Sequence, residues 1–237
     1  MKTIFVQLNI LAFSFLMWNC QPSPENIRFT ENPEQRVVLL EQLEKSPTDT
    51  LIDFTNSTAN KLPNTWEEAL TGDGKPCHWE VKEDAGNKVL AQLSNETNHY
   101  RFNLAVNKTL IYKDVDISVK FKGIEGGEDQ GGGPMWRYID ENNYYIARAN
   151  PLENNFRVYK VVNGDRHKLE SSKMEINTNQ WYQIRVVMKG NKIQCYFENK
   201  LVMEVTDNTF IDAGKIGLWT KSDAVTYFDE FKVRKTL

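Results

Sequence analysis

Strict alternation of apolar and polar residues is the feature that most constrains the fold of this chain. Across residues 114–122, Val115, Ile117, Val119 and Phe121 are separated by single polar or charged residues. A period of two belongs to a β-strand that has one buried face and one solvated face. The segment therefore predicts a strand at the surface of a core, with its polar side chains toward water.

Further strands follow the same pattern and are joined by short turns. Residues 181–189 and 193–197 alternate on either side of a Lys-Gly-Asn-Lys turn. The Asn163-Gly164 pair is a strong turn signal. The other expected strands are 135–139, 144–149, 156–162, 201–205 and 226–233. Many short alternating strands at regular spacing predict an all-β fold, an antiparallel two-sheet sandwich.

Composition excludes several classes of function. The chain has 237 residues, with 29 Lys and Arg against 32 Asp and Glu, and a formal net charge of −3. Such a chain has no basic block to bind a phosphate backbone, so nucleic acid is not an expected partner. The three histidines and three cysteines lack the spacing of a zinc site. No metal site and no cofactor are predicted, although a structural calcium is left open.

The amino terminus predicts export. Residues 1–19 carry one basic residue, Lys2, and an apolar run over 10–18, which is the layout of a signal peptide. Cys20 and a Pro/Ser linker follow directly, an arrangement similar to a bacterial lipoprotein signal, although Trp18 and Asn19 depart from it. We expect lipidation of Cys20 and a location in the bacterial cell envelope, as an outer-membrane or periplasmic lipoprotein. Plain secretion, an uncleaved anchor and an unmodified Cys20 are the alternatives.

The remaining chain divides into a tether and one large domain. We assign residues 1–19 to the signal peptide, 20–49 to a proline-rich tether with one short helix near 33–45, and 50–237 to the sandwich. Alternation points Cys195 into the core. Pairing of Cys77 with Cys195 in an oxidising compartment is left open, because the sequence does not give their separation.

Familiar catalytic motifs are absent, and acid pairs are sparse. Glycosidases commonly use two carboxyl groups on one face. Asp114 and Asp116 meet that condition, but they share their face with lysines, so we expect a solvated exterior, with a catalytic pair as the alternative. The glycine-rich stretch 126–133 joins two strands and is interpreted as a rim loop, either a plain connector or a lid.

The hairpin over residues 133–150 is the most informative segment. A four-residue turn at 140–143 would place Arg137 and Arg148 on one face with Tyr144. The expected pairs are Ile139 with Tyr144, Arg137 with Ile146, and Met135 with Arg148. Two guanidinium groups beside an aromatic ring suit a ligand rich in hydroxyls or a carboxylate. The alternative is that the arginines pair with acids such as Asp140 or Glu153 on a solvent face.

Four segments of the chain also carry a family resemblance. Residues 133–138, 142–155, 158–164 and 214–229 resemble the 3-keto-disaccharide hydrolase-like family, within the concanavalin A-like lectin/glucanase superfamily that includes laminin G modules. The resemblance extends over about residues 50–235 and implies a jelly-roll sandwich with a glycan-binding concave face. The positions it implies for ligand binding are Arg137, Tyr144, Arg148, Asn150, Trp219, Lys221 and Asp223.

Three functions are consistent with these features, because fold alone does not fix function. The first is a carbohydrate-binding or accessory module without turnover, whose partners are a glycan or small saccharide and, through Cys20, a membrane. The second is an enzyme that cleaves 3-keto-disaccharides or related glycosides, for which one base and an oxyanion-stabilising arginine suffice. The third is a laminin G-like protein-interaction module.

Overall fold

A computed structural model of the protein describes residues 49–235. The predicted signal peptide, the tether with its short helix, and Cys20 lie outside these residues. Every regular element within them is a β-strand, and none is a helix long and apolar enough to cross a membrane. The strands are β1 Asp49–Ile52, β2 Trp66–Thr71, β3 Trp79–Asp84, β4 Asn87–Gln92, β5 Phe102–Tyr112, β6 Val115–Glu125, β7 Gly132–Asp140, β8 Asn143–Asn150, β9 Asn155–Val162, β10 Asp165–Lys173, β11 Tyr182–Lys189, β12 Lys192–Phe197, β13 Lys200–Thr206, β14 Gly214–Lys221 and β15 Val225–Lys235.

The strands form two antiparallel sheets, as the sequence predicts. Sheet 1 has the order β13-β12-β11-β6-β15-β4-β3, with β1 paired to β15. Sheet 2 has the order β10-β9-β8-β7-β14-β5-β2. The predicted turns at 190–191, 198–199 and 163–164 each join neighbouring antiparallel strands. Late strands β14 and β15 lie beside β5 and β6, so the chain crosses between the sheets.

The main core lies between the two sheets. The alternation predicted for β6 is confirmed, since Val115, Ile117, Val119 and Phe121 are fully buried in this core. Cys195 is buried there too, as expected. Burial of each large apolar side chain contributes about 1.5–3 kcal/mol, so this alternating pattern supplies much of the free energy of folding.

Both described cysteines are free thiols. Cys77 and Cys195 are buried and are not joined by a disulfide. The Cys77 thiol instead donates to the backbone carbonyl of Ala69, at 3.1 Å. Burial raises the pKa of Cys77 to about 11, so the thiol stays protonated at neutral pH.

Sheet 2 is strongly curved, and its concave face is the one turned away from the main core. The hydroxyl groups of Tyr144 in β8 and Thr71 in β2 lie 2.7 Å apart, although the two strands are four positions apart in the sheet. Four strand spacings in a flat sheet are about 19 Å, more than these two side chains can span. Tyr144 projects away from the main core, so the sheet curls toward that side.

A second apolar cluster fills this concave face. Its members are Phe102, Leu104, Val106, Met135, Tyr138, Tyr144, Ile146, Tyr159, Val161 and Trp219. As a result β8 is buried on both faces along its whole length, whereas β6 is buried mainly on one.

The predicted register of the β7–β8 hairpin is wrong. Met135 pairs with Ile146 rather than with Arg148, and Asp140 pairs with Asn143 across a two-residue turn. The register shifts between Trp136 and Asp140. A β-bulge inserts extra residues into one strand, so a count from the turn gives the wrong partners beyond it. Arg137 lies in this bulge with φ 46°. Its side chain therefore does not lie on the same face of the sheet as Arg148.

Candidate functional site

Aromatic rings form the floor of the concave face of sheet 2. Phe102 and Trp219 contact each other with ring centroids 5.2 Å apart, and Tyr138 stacks on Tyr144 at 6.0 Å. These rings come from β5, β14, β7 and β8, which the curvature of the sheet brings together. Burial raises the pKa of Tyr144, so its phenol stays neutral and bonds to the Thr71 hydroxyl.

Arg166 of the edge strand β10 lies over this floor. Its guanidinium carbon is 4.5 Å from the ring centroid of Tyr159, 5.2 Å from that of Phe102 and 5.5 Å from that of Trp219. Contacts of this length are cation–π interactions, worth about 0.5–2 kcal/mol each. Phe102 is five strands away from β10 in the sheet order, so this contact also depends on the curvature.

The guanidinium group of Arg166 has no hydrogen-bond or ion-pair partner within residues 49–235. Its Nη1 atom is buried without an acceptor. Burial lowers the pKa of this guanidinium; Tyr159 opposes the shift, and the neighbouring charge of Arg148 adds to it. An arginine nevertheless remains charged at any ordinary pH. The concave face thus carries a partly buried cation that has no ion pair with any side chain in residues 49–235.

Arg148 of β8 lies beside this position and, unlike Arg166, has carboxylate partners, although its Nε is buried without an acceptor. It donates to Glu153 Oε2 at 3.1 Å, to Asn155 Oδ1 at 3.2 Å and to Asp129 Oδ1 at 3.4 Å. Burial alone would lower the pKa of Arg148, but Asp129 and Glu153 raise it above its ordinary value. The expected alternative holds for Arg148 only in its partner: it pairs with Glu153, but it is buried rather than on a solvent face. Asp140 instead accepts from Asn142 and Asn143.

Asp129 is the buried acid of this network. Its Oδ1 accepts from the backbone N–H of Gly131 at 2.7 Å and from Asn150 Nδ2 at 3.1 Å. Lys221 Nζ lies 3.6 Å from Oδ2. A buried carboxylate is stable only when it is paired and hydrogen-bonded, and here Arg148, Lys221, Asn150 and a backbone amide meet that condition together.

Tyr159 lies among three arginines. Arg157 Nη1 donates to its hydroxyl at 3.3 Å, and Arg148 and Arg166 both approach its ring. Burial would raise the pKa of Tyr159, but these three positive charges hold it below its ordinary value. The three positive charges therefore lower the pKa of Tyr159 by more than burial raises it.

Glu153 lies at the edge of the same group. Burial favours its neutral form, but Arg148, Asn155 and Arg157 lower its pKa to about 2. Its Oε2 is 2.8 Å from Arg157 Nη1. The carboxylate thus links two of the three arginines around Tyr159 and stays ionised well below neutral pH.

The glycine-rich loop forms the rim beside Asp129, and Asp223 holds it in place. The Asp223 carboxylate accepts from the backbone N–H groups of Gly127, Glu128 and Asp129, at 2.6, 3.1 and 3.0 Å. Burial opposes ionisation of Asp223, but these amides hold its pKa below the ordinary value. Gly126 has φ 143°, and an added Cβ would lie 1.9 Å from the Asp129 carbonyl oxygen, so this position requires glycine.

Arg137 lies away from the concave face and has a structural environment. Its guanidinium donates to the carbonyl oxygens of Lys113, Gly190 and Phe210 and lies 3.3 Å from Asp114. The three carbonyls belong to the β5–β6 turn, the β11–β12 turn and the β13–β14 loop. Arg137 thus connects three loops at one end of the sandwich.

The other predicted ligand-binding residues come together on sheet 2. Five of them contribute to the concave face or its buried network, and Asp223 lies at the rim. The five are Tyr144, Arg148, Asn150, Trp219 and Lys221. Their predicted role in binding stays a prediction.

Sequence reasoning missed Arg157, Tyr159 and Arg166. For the first two a signal existed, because alternation within 156–162 places them on one face and antiparallel pairing sets Arg157 opposite Arg148. Arg166 gave no such signal. It follows a turn, and only the curvature of sheet 2 carries it over the aromatic floor.

The carboxyl groups of this site do not form a glycosidase pair. A general acid in such enzymes needs a raised pKa, but Glu153 and Asp223 are both shifted downward. Asp129 is tied to Arg148 and Asn150. No group of three or more His, Cys, Asp and Glu side chains between residues 49 and 235 could hold a metal ion. The arrangement is therefore suited to binding through arginine donors and aromatic surfaces.

The outer face of sheet 1 carries a shallow cavity of about 240 Å³. Arg185 donates to both oxygens of Asp116, at 2.7 Å each, and lies 4.8 Å from the ring centroid of Tyr196. The alternative of a catalytic pair at Asp114 and Asp116 is not supported, because each acid pairs with an arginine. This face is the solvated exterior that the sequence predicts.

Comparisons with known proteins agree on the fold of the sandwich. It has the jelly-roll, concanavalin A-like architecture of lectin domains, carbohydrate-binding modules and glucanases. A family model for the C-terminal lectin domain of galactocerebrosidase matches residues 141–236. The levanase of Bacillus subtilis (strain 168) is 25% identical over 97 residues, which is 40% of this chain and 14% of the levanase.

Two solved structures share the fold. The carbohydrate binding module CBM66 of Bacillus subtilis aligns with a TM-score of 0.58 at 19% identity, covering 71% of this chain and 94% of that module. The β-glucanase of Bacillus licheniformis aligns with a TM-score of 0.55 at 14% identity, covering 81% of this chain and 99% of the glucanase. At these identities the likeness concerns the fold.

Proposed function

We propose that this protein is a carbohydrate-binding module whose concave face on sheet 2 holds a saccharide without cleaving it. The observation that carries the proposal is Arg166, an unpaired guanidinium fixed over the rings of Tyr159, Phe102 and Trp219. Saccharides are bound by planar hydrogen-bond donors next to apolar surfaces, and a rigid donor loses little conformational entropy on binding. The matches to a lectin-domain family model and to a levanase support this class of ligand.

Export and lipid anchoring at Cys20 complete the proposal. They are supported by the signal-like layout of residues 1–19 and by the cysteine and Pro/Ser linker that follow. In this arrangement the sandwich is presented at a bacterial envelope surface, where it retains a glycan for other proteins to process.

A glycan panel measured by calorimetry tests the binding function. We expect the full-length chain to bind at least one glycan, and Arg166→Ala to lower that affinity by about tenfold or more. Arg185→Ala is the matched control, because it removes an arginine that also lies over a tyrosine ring but belongs to sheet 1. Binding of no glycan, or equal losses in both variants, would contradict the proposal.

A second function is favoured by one observation, the low pKa of Tyr159 beside three arginines. An ionised tyrosine could remove the acidic ring proton next to the ketone of a 3-keto-glycoside. The resulting enolate, stabilised by Arg148 or Arg166, would expel the glycosidic oxygen, which would take the proton from the tyrosine hydroxyl and leave as the alcohol. This is the chemistry implied by the resemblance to the 3-keto-disaccharide hydrolase-like family.

Turnover separates the two functions. Release of the leaving alcohol from a 3-keto-disaccharide by the wild-type chain, abolished in Tyr159→Phe with glycan affinity retained, would establish the enzyme. Binding with no release across 3-keto and ordinary glycosides would establish the module.

A further inference from the structure

We infer that the saccharide bound by the concave face carries an anionic group, a carboxylate or a sulfate, which Arg166 binds directly. This inference rests on the binding function proposed above and specifies the chemical class of the ligand.

The arginines of the structure show how unusual Arg166 is. Five of the seven described arginines have a carboxylate oxygen within ion-pair distance; they are Arg101, Arg137, Arg148, Arg157 and Arg185. Arg234 is exposed to water. Arg166 is partly buried, has a buried Nη1 without an acceptor, and has no carboxylate partner among the described residues.

The acids near Arg166 are already neutralised by other cations. Asp129 is shared by Arg148 and Lys221, and Glu153 is shared by Arg148 and Arg157. Neither acid has an ion pair with Arg166. The positive charge of Arg166 is therefore available to a ligand.

Lys168 adds to this positive region. It pairs with Tyr159 across β9 and β10, so the two side chains share the concave face, and Lys168 is exposed. The whole chain has a formal charge of −3, yet this side of the concave face has an excess of cations. A local excess of this sign attracts anionic ligands.

The geometry at Arg166 suits an oxyanion. Three rings restrict the guanidinium, so its N–H groups are held in a fixed arrangement before a ligand arrives. A guanidinium binds a carboxylate or sulfate through two parallel N–H···O bonds, which a neutral hydroxyl cannot reproduce. The anionic group would bind at Arg166, and the sugar ring attached to it would lie toward Arg157 and Glu153.

Paired probes that differ only in charge test this inference. The carboxylate pair is an oligogalacturonate and its fully methyl-esterified form, and the sulfate pair is a κ-carrageenan oligosaccharide and its desulfated form, which has no carboxylate. We expect the full-length protein to bind at least one charged member about tenfold or more tightly than its neutral partner. The difference should shrink between about 50 and 500 mM NaCl, because salt screens the interaction.

Three variants assign the effect to Arg166. Arg166→Gln should remove the preference for the charged probe, and Arg166→Lys should retain part of it, because the charge remains but the planar donor is lost. Arg185→Gln, on sheet 1, should leave the preference unchanged. Unchanged thermal unfolding in these variants would show that the fold is intact.

The outcomes separate this inference from the proposed function. Preference for a charged probe that depends on Arg166 supports both. Equal affinity for neutral and charged members overturns the inference and leaves the binding function standing. Binding of none of the four probes, nor of any glycan in the wider panel, overturns the binding function and the inference with it.

Discussion

The outer faces of the two sheets carry the same kind of residue pair in different surroundings. On sheet 1, Arg185 lies over Tyr196 and is neutralised by both oxygens of Asp116, close to water. On sheet 2, Arg166 lies over Tyr159 and two further rings, and no carboxylate between residues 49 and 235 is within ion-pair distance of it. The stacked arginine of sheet 1 thus has a carboxylate partner on its own sheet, whereas that of sheet 2 has none among the described residues.

Curvature explains this difference. The outward side chains of β6 from Asp116 to Lys120 are partly exposed to solvent. Those of β8 point into a cup that is closed by the Tyr144–Thr71 hydrogen bond, and they are buried. Charges that are held away from water interact more strongly and cost more when they are left unpaired. The outer face of sheet 2 is therefore where removal of a charge has the larger consequence.

The largest expected effect is that of Arg148→Ala. It would leave Asp129 buried without its main cation, and the removal of one partner from such a pair costs about 3–5 kcal/mol. The equivalent change on sheet 1, Arg185→Ala, should cost about 1 kcal/mol or less, because that pair is partly exposed. Urea denaturation of both variants measures the two values, and equal losses would remove the distinction between the faces.

Asp223→Ala should have an intermediate effect. It leaves three backbone N–H groups of the rim loop without their acceptor. Only the Asp129 amide is buried, and one unsatisfied buried donor costs about 1–3 kcal/mol; Gly127 and Glu128 are open to water, which can replace the acceptor. Asp229→Ala is the control in sheet 1, because Asp229 is equally buried but accepts from Asn87 and from the adjacent amide.

Hydrogen exchange locates the change. Faster exchange of the Gly127, Glu128 and Asp129 amides in Asp223→Ala is the expected result. Unchanged exchange at these three amides would show that the loop keeps its conformation without the carboxylate.

The smallest expected effect is the pH dependence contributed by Glu153. Its pKa is about 2 in the folded protein, below the ordinary value near 4.5, so its ionised form stabilises the fold. This stability is fully present above about pH 4.5 and is lost as the pH falls toward 2. Thermal unfolding should therefore show Glu153→Gln less stable than wild type at pH 6, with the gap closing between pH 4.5 and 2.

Glu204 provides the comparison on sheet 1. Its pKa is also lowered, by hydrogen bonds from Lys192 and Gln194, but it is exposed to water. Glu204→Gln should change the pH profile less than Glu153→Gln does. A larger change in the pH profile of Glu204→Gln would mean that exposure to water does not weaken the charge interactions of a carboxylate.

Much of the fold was predictable from the sequence because alternation is a local signal. The strand β6, the turn at Asn163-Gly164 and the buried position of Cys195 all follow from spacing within a few residues. The register of β7 with β8 does not follow from local spacing. A bulge at Arg137 shifts the register, and nothing in the local sequence marks that shift.

The site was predictable only in part for the same reason. Arg148 and Asn150 lie two residues apart on one strand, so alternation places them together. Arg166 and Phe102 are 64 positions apart in the numbering and come together only because sheet 2 curls. Curvature is a property of the whole sheet, and no single strand encodes it.

The loop held by Asp223 has a consequence for competition between anions. Three successive amides that point to one position form a general anion receptor. Here the receptor is filled by a carboxylate that is tethered to the same chain, whose effective concentration is at least about millimolar. Free phosphate or sulfate would have to displace this internal ligand. The rim amides are therefore not free to bind anions from solution. Arg166, above the aromatic floor, is the group that would distinguish charged from neutral sugars.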